Sequence, residues 1–125
     1  MDFKVKLTGS GQRNVSAQIS GLLKVPGFRT VNATKIAEEK VFKLVSFEHR
    51  GLKMTSIVFL VQEKAGLLLW WNEARENLIL PVESRGAFRF DVGLMPPEGW
   101  DGAIWATPFK VDEPKGFLLL LDFDR

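Results

Sequence analysis

The feature that most constrains this chain is its punctuation. Short apolar segments are broken by turn signals roughly every ten residues, the pattern of an antiparallel sheet folded back on itself. Residues 9–14 (GSGQRN), Pro26-Gly27, residues 62–66, 84–86 and 112–116 all carry turn chemistry, and residues 95–102 (MPPEGWDG) form the longest irregular stretch. Between them the apolar residues alternate. Phe3, Val5 and Leu7 oppose Lys4 and Lys6; Val15, Ala17 and Ile19 oppose Ser16, Gln18 and Ser20; Phe88, Phe90 and Val92 oppose Arg89 and Asp91. Period-two alternation describes a strand with one dry and one wet face. Residues 2–8 and 15–20 read as a hairpin.

Residues 67–71 depart from that alternation. Leu67, Leu68, Leu69, Trp70 and Trp71 are apolar on both faces of a strand. Adjacent strand residues point to opposite sides, so one of the two tryptophans leaves the main core. Its side is covered by another layer, a subunit interface or a ligand.

Residues 32–50 are ambiguous. Asn32 suits an N-cap, Gly51 a C′ position, and Ala33, Ile36, Ala37, Val41, Leu44 and Val45 share one helical face. Lys40 interrupts that face, and from Val41 onward the Val/Phe composition favours a strand. The expectation is a short helix near 33–40 followed by a strand at 41–49. The fold class is then mostly β: an antiparallel barrel or two-layer sandwich of about eight to ten strands with one helix near 33–40. The alternative is an α+β fold with a longer helix over 33–49.

A chain of 125 residues is one domain's worth of sequence and buries a core without a disulfide or metal staple. Residues 1–125 are therefore read as a single β-rich domain. With no cysteine, thiolate catalysis and Cys-based metal sites are excluded. Lys4 and Lys6 break any signal-peptide run at the start of the sequence, and the apolar runs at 57–61 and 66–71 fall short of the roughly 20 residues that span a bilayer. The expected setting is cytoplasmic, with no membrane partner.

The single histidine, His49, rules out a histidine-built metal site within one chain. No serine lies in a nucleophile-elbow context, and no glycine-rich segment has phosphate-loop form. Asp122 and Asp124, spaced i, i+2 on a strand, point to one face, but as strand-end carboxylates they make a weak metal site. The reading is non-enzymatic, with no cofactor, no metal and no catalytic residue.

Charge is uneven along the chain. Residues 1–53 hold ten Lys/Arg and four Asp/Glu, whereas residues 54–125 hold seven and eleven. A basic segment interleaved with aromatics is the composition of a single-strand nucleic-acid binder, which stacks bases beside cations. The function expected first is a single-stranded DNA- or RNA-binding β-domain. Its phosphate contacts are Lys4, Lys6, Arg13, Lys43, Arg50, Lys53 and Arg89. The alternative is a homo-oligomeric structural or interaction protein, whose interface residues are Trp70, Trp71 and the loop residue Trp100. Opposite charge in the two halves suits head-to-tail contact between copies. A β-barrel holding a small apolar ligand is a further alternative.

Overall fold

The computed structural model of the chain describes residues 2–9, 13–24, 27–31, 34–38, 40–48, 51–62, 65–111 and 113–125, with the backbone alone described over 27–31 and 34–38. Its elements are all strands: β1 (Asp2–Thr8), β2 (Asn14–Leu23), β3 (Gly27–Val31), β4 (Thr34–Glu38), β5 (Phe42–Ser46), β6 (Lys53–Val61), β7 (Gly66–Trp70), β8 (Leu78–Glu83), β9 (Arg85–Leu94), β10 (Ala103–Phe109) and β11 (Lys115–Asp124).

They form two antiparallel sheets that do not close into a barrel. One has the order β1-β2-β11-β6-β9, the other β5-β10-β7-β8, and β3 and β4 form a separate two-stranded sheet. The sandwich is the realised form of the two β architectures read from the sequence. The β1–β2 hairpin is also present, in register from Asp2↔Leu22 to Thr8↔Ser16.

The helix expected near 33–40 is not there. Residues 34–38 are strand β4, paired antiparallel with β3 from Gly27↔Glu38 to Val31↔Thr34. The longer 33–49 helix fails too, because residues 42–46 form β5 on the edge of the four-stranded sheet. The physical reason lies in the residues. A one-face match built largely on alanines gives an eight-residue helix little to bury, and short helices without packing do not pass nucleation. Thr30, Val31, Thr34 and Ile36 are β-branched and lose rotamer freedom in a helix.

The core lies between the sheets. On the five-stranded side Ile19, Leu119 and Phe59 stand in one cross-strand row and Ala17, Leu121 and Ile57 in the next, all fully buried. Leu67, Leu69, Val82, Ile104 and Ala106 face them from the four-stranded side. Burial of each large aliphatic side chain is worth about 1.5–3 kcal/mol.

One end of the sandwich is closed by aromatics. Trp100 stacks on Phe123 at 6.4 Å and 12°, meets Trp71 edge-on at 5.3 Å and tilts against Phe47 at 6.4 Å. Its indole N–H donates to the Ala103 carbonyl at 2.7 Å, so the ring is held at its polar end as well. The chain can approach here because residue 102 is glycine. Its φ is +95°, and a Cβ would lie 2.3 Å from the Phe47 carbonyl oxygen. The close approach lets Phe47 N–H donate to the Gly102 carbonyl at 2.8 Å.

On one flank the sheets are joined by continuous chain. Only Ser84, in the left-handed region at φ 59°, separates β8 from β9 and turns the backbone from one layer into the other. On the opposite flank the sheet edges are β1 and β5.

Candidate interaction surface

A two-layer sandwich buries two sheet faces and leaves two in water. The outer face of the five-stranded sheet is built from three rows that cross all five strands. The first is Lys4, Ser20, Leu118, Leu60 and Arg85; the second Lys6, Gln18, Leu120, Val58 and Ala87; the third Thr8, Ser16, Asp122, Ser56 and Arg89. Directly opposed residues share a face, with strands about 4.8 Å apart.

The middle of this face is aliphatic. Val58, Leu60, Leu118 and Leu120 form a block on the two strands flanked by β2 and β9. Leu60 is 41% exposed, and its three neighbours are half-buried. Cations stand on both edges: Lys4 and Lys6 on β1, Arg85 and Arg89 on β9, a span of about 19 Å across four inter-strand steps.

The third row carries a built polar cluster. Ser16 Oγ donates to Asp122 Oδ1 and Ser56 Oγ to Asp122 Oδ2, each at 2.6 Å. Hydroxyls from both neighbouring strands thus hold the carboxylate on the sheet. With Asn14, Thr55, Arg89, Phe90, Asp91 and Phe123 these residues line a shallow cleft of about 480 Å³. Asp124, two residues on, pairs with Arg13 Nε at 3.4 Å and lies opposite Lys53. Both carboxylates of the i, i+2 pair are engaged by donors of the chain itself. At the other end of β1, Lys24 Nζ lies 2.7 Å from Asp2, and its hydrogen bond and positive charge hold the Asp2 carboxyl below the ordinary carboxylate range.

The outer face of the four-stranded sheet is aromatic. Trp70 and Trp105 stand opposite each other on β7 and β10. Lys43 lies over the Trp105 ring, 5.3 Å from its centroid. Phe109 covers Gly66, where any Cβ would come within 2.5 Å of the ring.

The structure therefore sorts the sequence-predicted residues. Lys4, Lys6, Lys53 and Arg89 come together on the five-stranded outer face, with Arg13 at its end. Lys43 belongs to the other sheet, and Arg50 and His49 lie outside the described residues. The aromatics are separated from those cations: Phe3 pairs with Gly21 and Phe88 with Ile57 on the inner face, so the strand pleat sends them away from Lys4, Lys6 and Arg89.

Of the three tryptophans expected at an interface, Trp70 faces outward. Trp71 is 5% exposed in the core, and Trp100 is spent on the end cluster. The aliphatic block was missed by the sequence reading. Its signal is present: residues 57–61 and 117–121 are apolar at every position, as residues 67–71 are, and a strand apolar throughout has two apolar faces.

No protein-family model, no curated protein and no solved structure matches the chain.

Proposed function

We propose that this protein is a structural or interaction subunit that works as a homo-oligomer, associating through the outer faces of its sheets. One observation carries the reading: Val58, Leu60, Leu118 and Leu120 form a contiguous aliphatic block in the middle of an outer face, where a lone sandwich leaves them against water. Apolar patches of this kind mark association surfaces. The outward-facing Trp70 and Trp105 on the second sheet support the same reading. So does the charge of the halves, +6 over residues 1–53 and −4 over residues 54–125, which favours contact between unlike parts of neighbouring copies.

The test is sedimentation equilibrium of the full chain across a concentration series. Association that strengthens with concentration supports the proposal. A single species near 14.1 kDa throughout the high-micromolar range overturns it.

A second reading, binding of single-stranded nucleic acid, is favoured by one specific observation. Lys4, Lys6, Lys53, Arg85 and Arg89 share the five-stranded outer face, with Arg13 beside them. Against it, the residues between these cations are aliphatic rather than aromatic. Bases are held on such surfaces by ring stacking, worth about 1–3 kcal/mol per base. Asp122 also sets a carboxylate among the cations.

A further inference from the structure

The two layers are unequal, five strands over four. Since β8 and β9 are joined through Ser84 on one flank, the surplus falls on the other, where β1 and β5 are the edges. The inner row of β1 shows the consequence. Val5 and Leu7 lie directly opposite Ile19 and Ala17 of β2 and point the same way. Ile19 and Ala17 are 0% and 1% exposed, but Val5 and Leu7 are 40% and 42% exposed. The four-stranded sheet therefore leaves them incompletely covered.

Facing β1 across this flank is β5, which pairs with β10 on one side only. Among the described residues its other edge pairs with no strand, and an unpaired edge is the template onto which an added strand pairs. Leu7, Val15, Ser46, Phe47, Glu48 and Leu52, with Arg125, line a cleft of about 140 Å³ at the point where the two edges meet. One more strand on β5 would make the layers five over five, cover Val5 and Leu7, and satisfy the open edge.

We infer that this strand comes from the β3–β4 hairpin of a second copy of the chain. The inference rests on the homo-oligomer reading and assigns it a contact. Three observations single out this occupant. Among the described residues the hairpin pairs with neither sheet, β3 and β4 forming a two-stranded sheet of their own. Each of its strands has five residues, the length of β5. It is also inserted in the chain between β2, the neighbour of the edge strand β1, and β5, so the arm runs directly into the strand whose edge is open in each copy. Reciprocal exchange of such arms gives a closed two-fold dimer, the arrangement of a domain swap.

The chain has no cysteine, so engineered thiols report this contact without background. Ser46→Cys marks the free edge of β5, and Thr34→Cys, Lys35→Cys and Ala37→Cys mark β4 in three separate variants. Each β4 variant is mixed with Ser46→Cys, denatured and refolded together, and oxidised. The expected result is a disulfide-linked heterodimer in at least one mixture, at a yield at least five-fold above a mixture refolded apart. In parallel, replacing residues 25–39 with a Gly-Ser linker is expected to weaken dimerisation at least ten-fold.

Oligomers that persist without the arm and never cross-link to β4 overturn this inference while leaving the homo-oligomer reading intact. A disulfide that forms only within one chain, in a doubly substituted variant, overturns it in favour of the chain's own hairpin. A wild-type chain that stays monomeric at high micromolar concentration overturns both readings. Should the linker variant fail to fold, the mixed-cysteine experiment decides alone.

Discussion

Trp70 and Trp105 stand directly opposite each other across the β7–β10 ladder, yet their indole N–H groups have unlike fates. Trp70 Nε1 donates to Thr107 Oγ1 at 3.2 Å, while the buried Trp105 Nε1 has no acceptor among the described residues. A neutral hydrogen bond contributes about 0.5–1.5 kcal/mol, whereas a buried donor left unpaired costs about 1–3 kcal/mol. Trp70→Phe removes a bond and strips cover from Thr107, which is 2% exposed. Trp105→Phe removes a liability along with some ring volume. Paired urea titrations should find Trp70→Phe the more destabilising by about 1 kcal/mol or more. Equal losses, or the reverse order, would show that the Trp105 N–H is satisfied in solution.

Leu60 and Leu118 share a cross-strand row and a water-facing side. Burying a leucine on association is worth up to about 1.5–3 kcal/mol, so Leu60→Glu should weaken self-association about ten-fold or more. Leu60 is already 41% exposed, so the thermal midpoint of the isolated subunit should change little. The check is sedimentation velocity beside a thermal melt of the same samples. An unchanged dissociation constant would remove this face from the interface and leave the tryptophan face and the open flank as the remaining contacts.

The sequence was legible wherever one face of a strand is wet. Phe3/Val5/Leu7 against Lys4/Lys6, and Val15/Ala17/Ile19 against Ser16/Gln18/Ser20, announce their strands and their pairing, because register follows the apolar face. Residues 33–40 misled because Ala33, Ile36 and Ala37 satisfy a helical period by chance. In so short a segment strand and helix differ by little local energy, and pairing with β3 decided between them. The cations of the candidate face were legible one by one. Their gathering onto one face was not, since it depends on β11 lying between β2 and β6, a long-range order that no local pattern encodes. The aromatics interleaved with those cations suggested one surface, but the pleat places them on two.

The Ser16–Asp122–Ser56 cluster ties β2, β11 and β6 together through side chains. Hydrogen bonds to a charged acceptor contribute about 1.5–3 kcal/mol each. Here the carboxylate is only half-buried, and water re-solvates part of what is lost. Asp122→Ala should therefore destabilise the fold by about 1–3 kcal/mol, seen as a lower urea midpoint with an unchanged slope. Asp122→Asn keeps one acceptor oxygen and should fall between wild type and Asp122→Ala. A neutral Asp122→Ala would mean that the serines bond water equally well.

At residue 102 a positive φ and close contact act together. Gly102→Ala would place a Cβ 2.3 Å from the Phe47 carbonyl oxygen on a backbone at φ +95°. Both effects oppose the substitution, and strain at such a position costs on the order of 1–3 kcal/mol before the clash is relieved. The displaced segment carries Phe47, which packs on Trp100 and Phe123 at the closed end of the sandwich. Gly102→Ala should thus lower the thermal midpoint and alter near-ultraviolet circular dichroism from the tryptophan cluster. Gly99→Ala is the control: its φ is +80°, but no atom lies within 4 Å of the added Cβ. A fall no larger for Gly102→Ala than for Gly99→Ala would show that backbone conformation, not the Phe47 contact, sets the cost.

Lys4 and Lys6 separate the two functional readings. Both sit on the outer face of β1, opposite Ser20 and Gln18, and both are exposed, so replacing them with serine leaves the core untouched. If a single strand ran over this face, each neutralised phosphate would contribute about −0.7 to the slope of log K against log salt. Lys4→Ser with Lys6→Ser should then reduce the magnitude of that slope by about 1 to 1.5. Assembly through the aliphatic block forecasts something different: no binding of a labelled strand at about 50 mM salt by tens of micromolar protein, where non-specific phosphate contact is still strong. It also forecasts that the double variant still self-associates, since Val58, Leu60, Leu118 and Leu120 are untouched. Fluorescence anisotropy with a labelled oligonucleotide, followed by sedimentation of the same samples, reads both quantities. Salt-sensitive binding that drops by the stated slope in the double variant would transfer the function from assembly to nucleic acid.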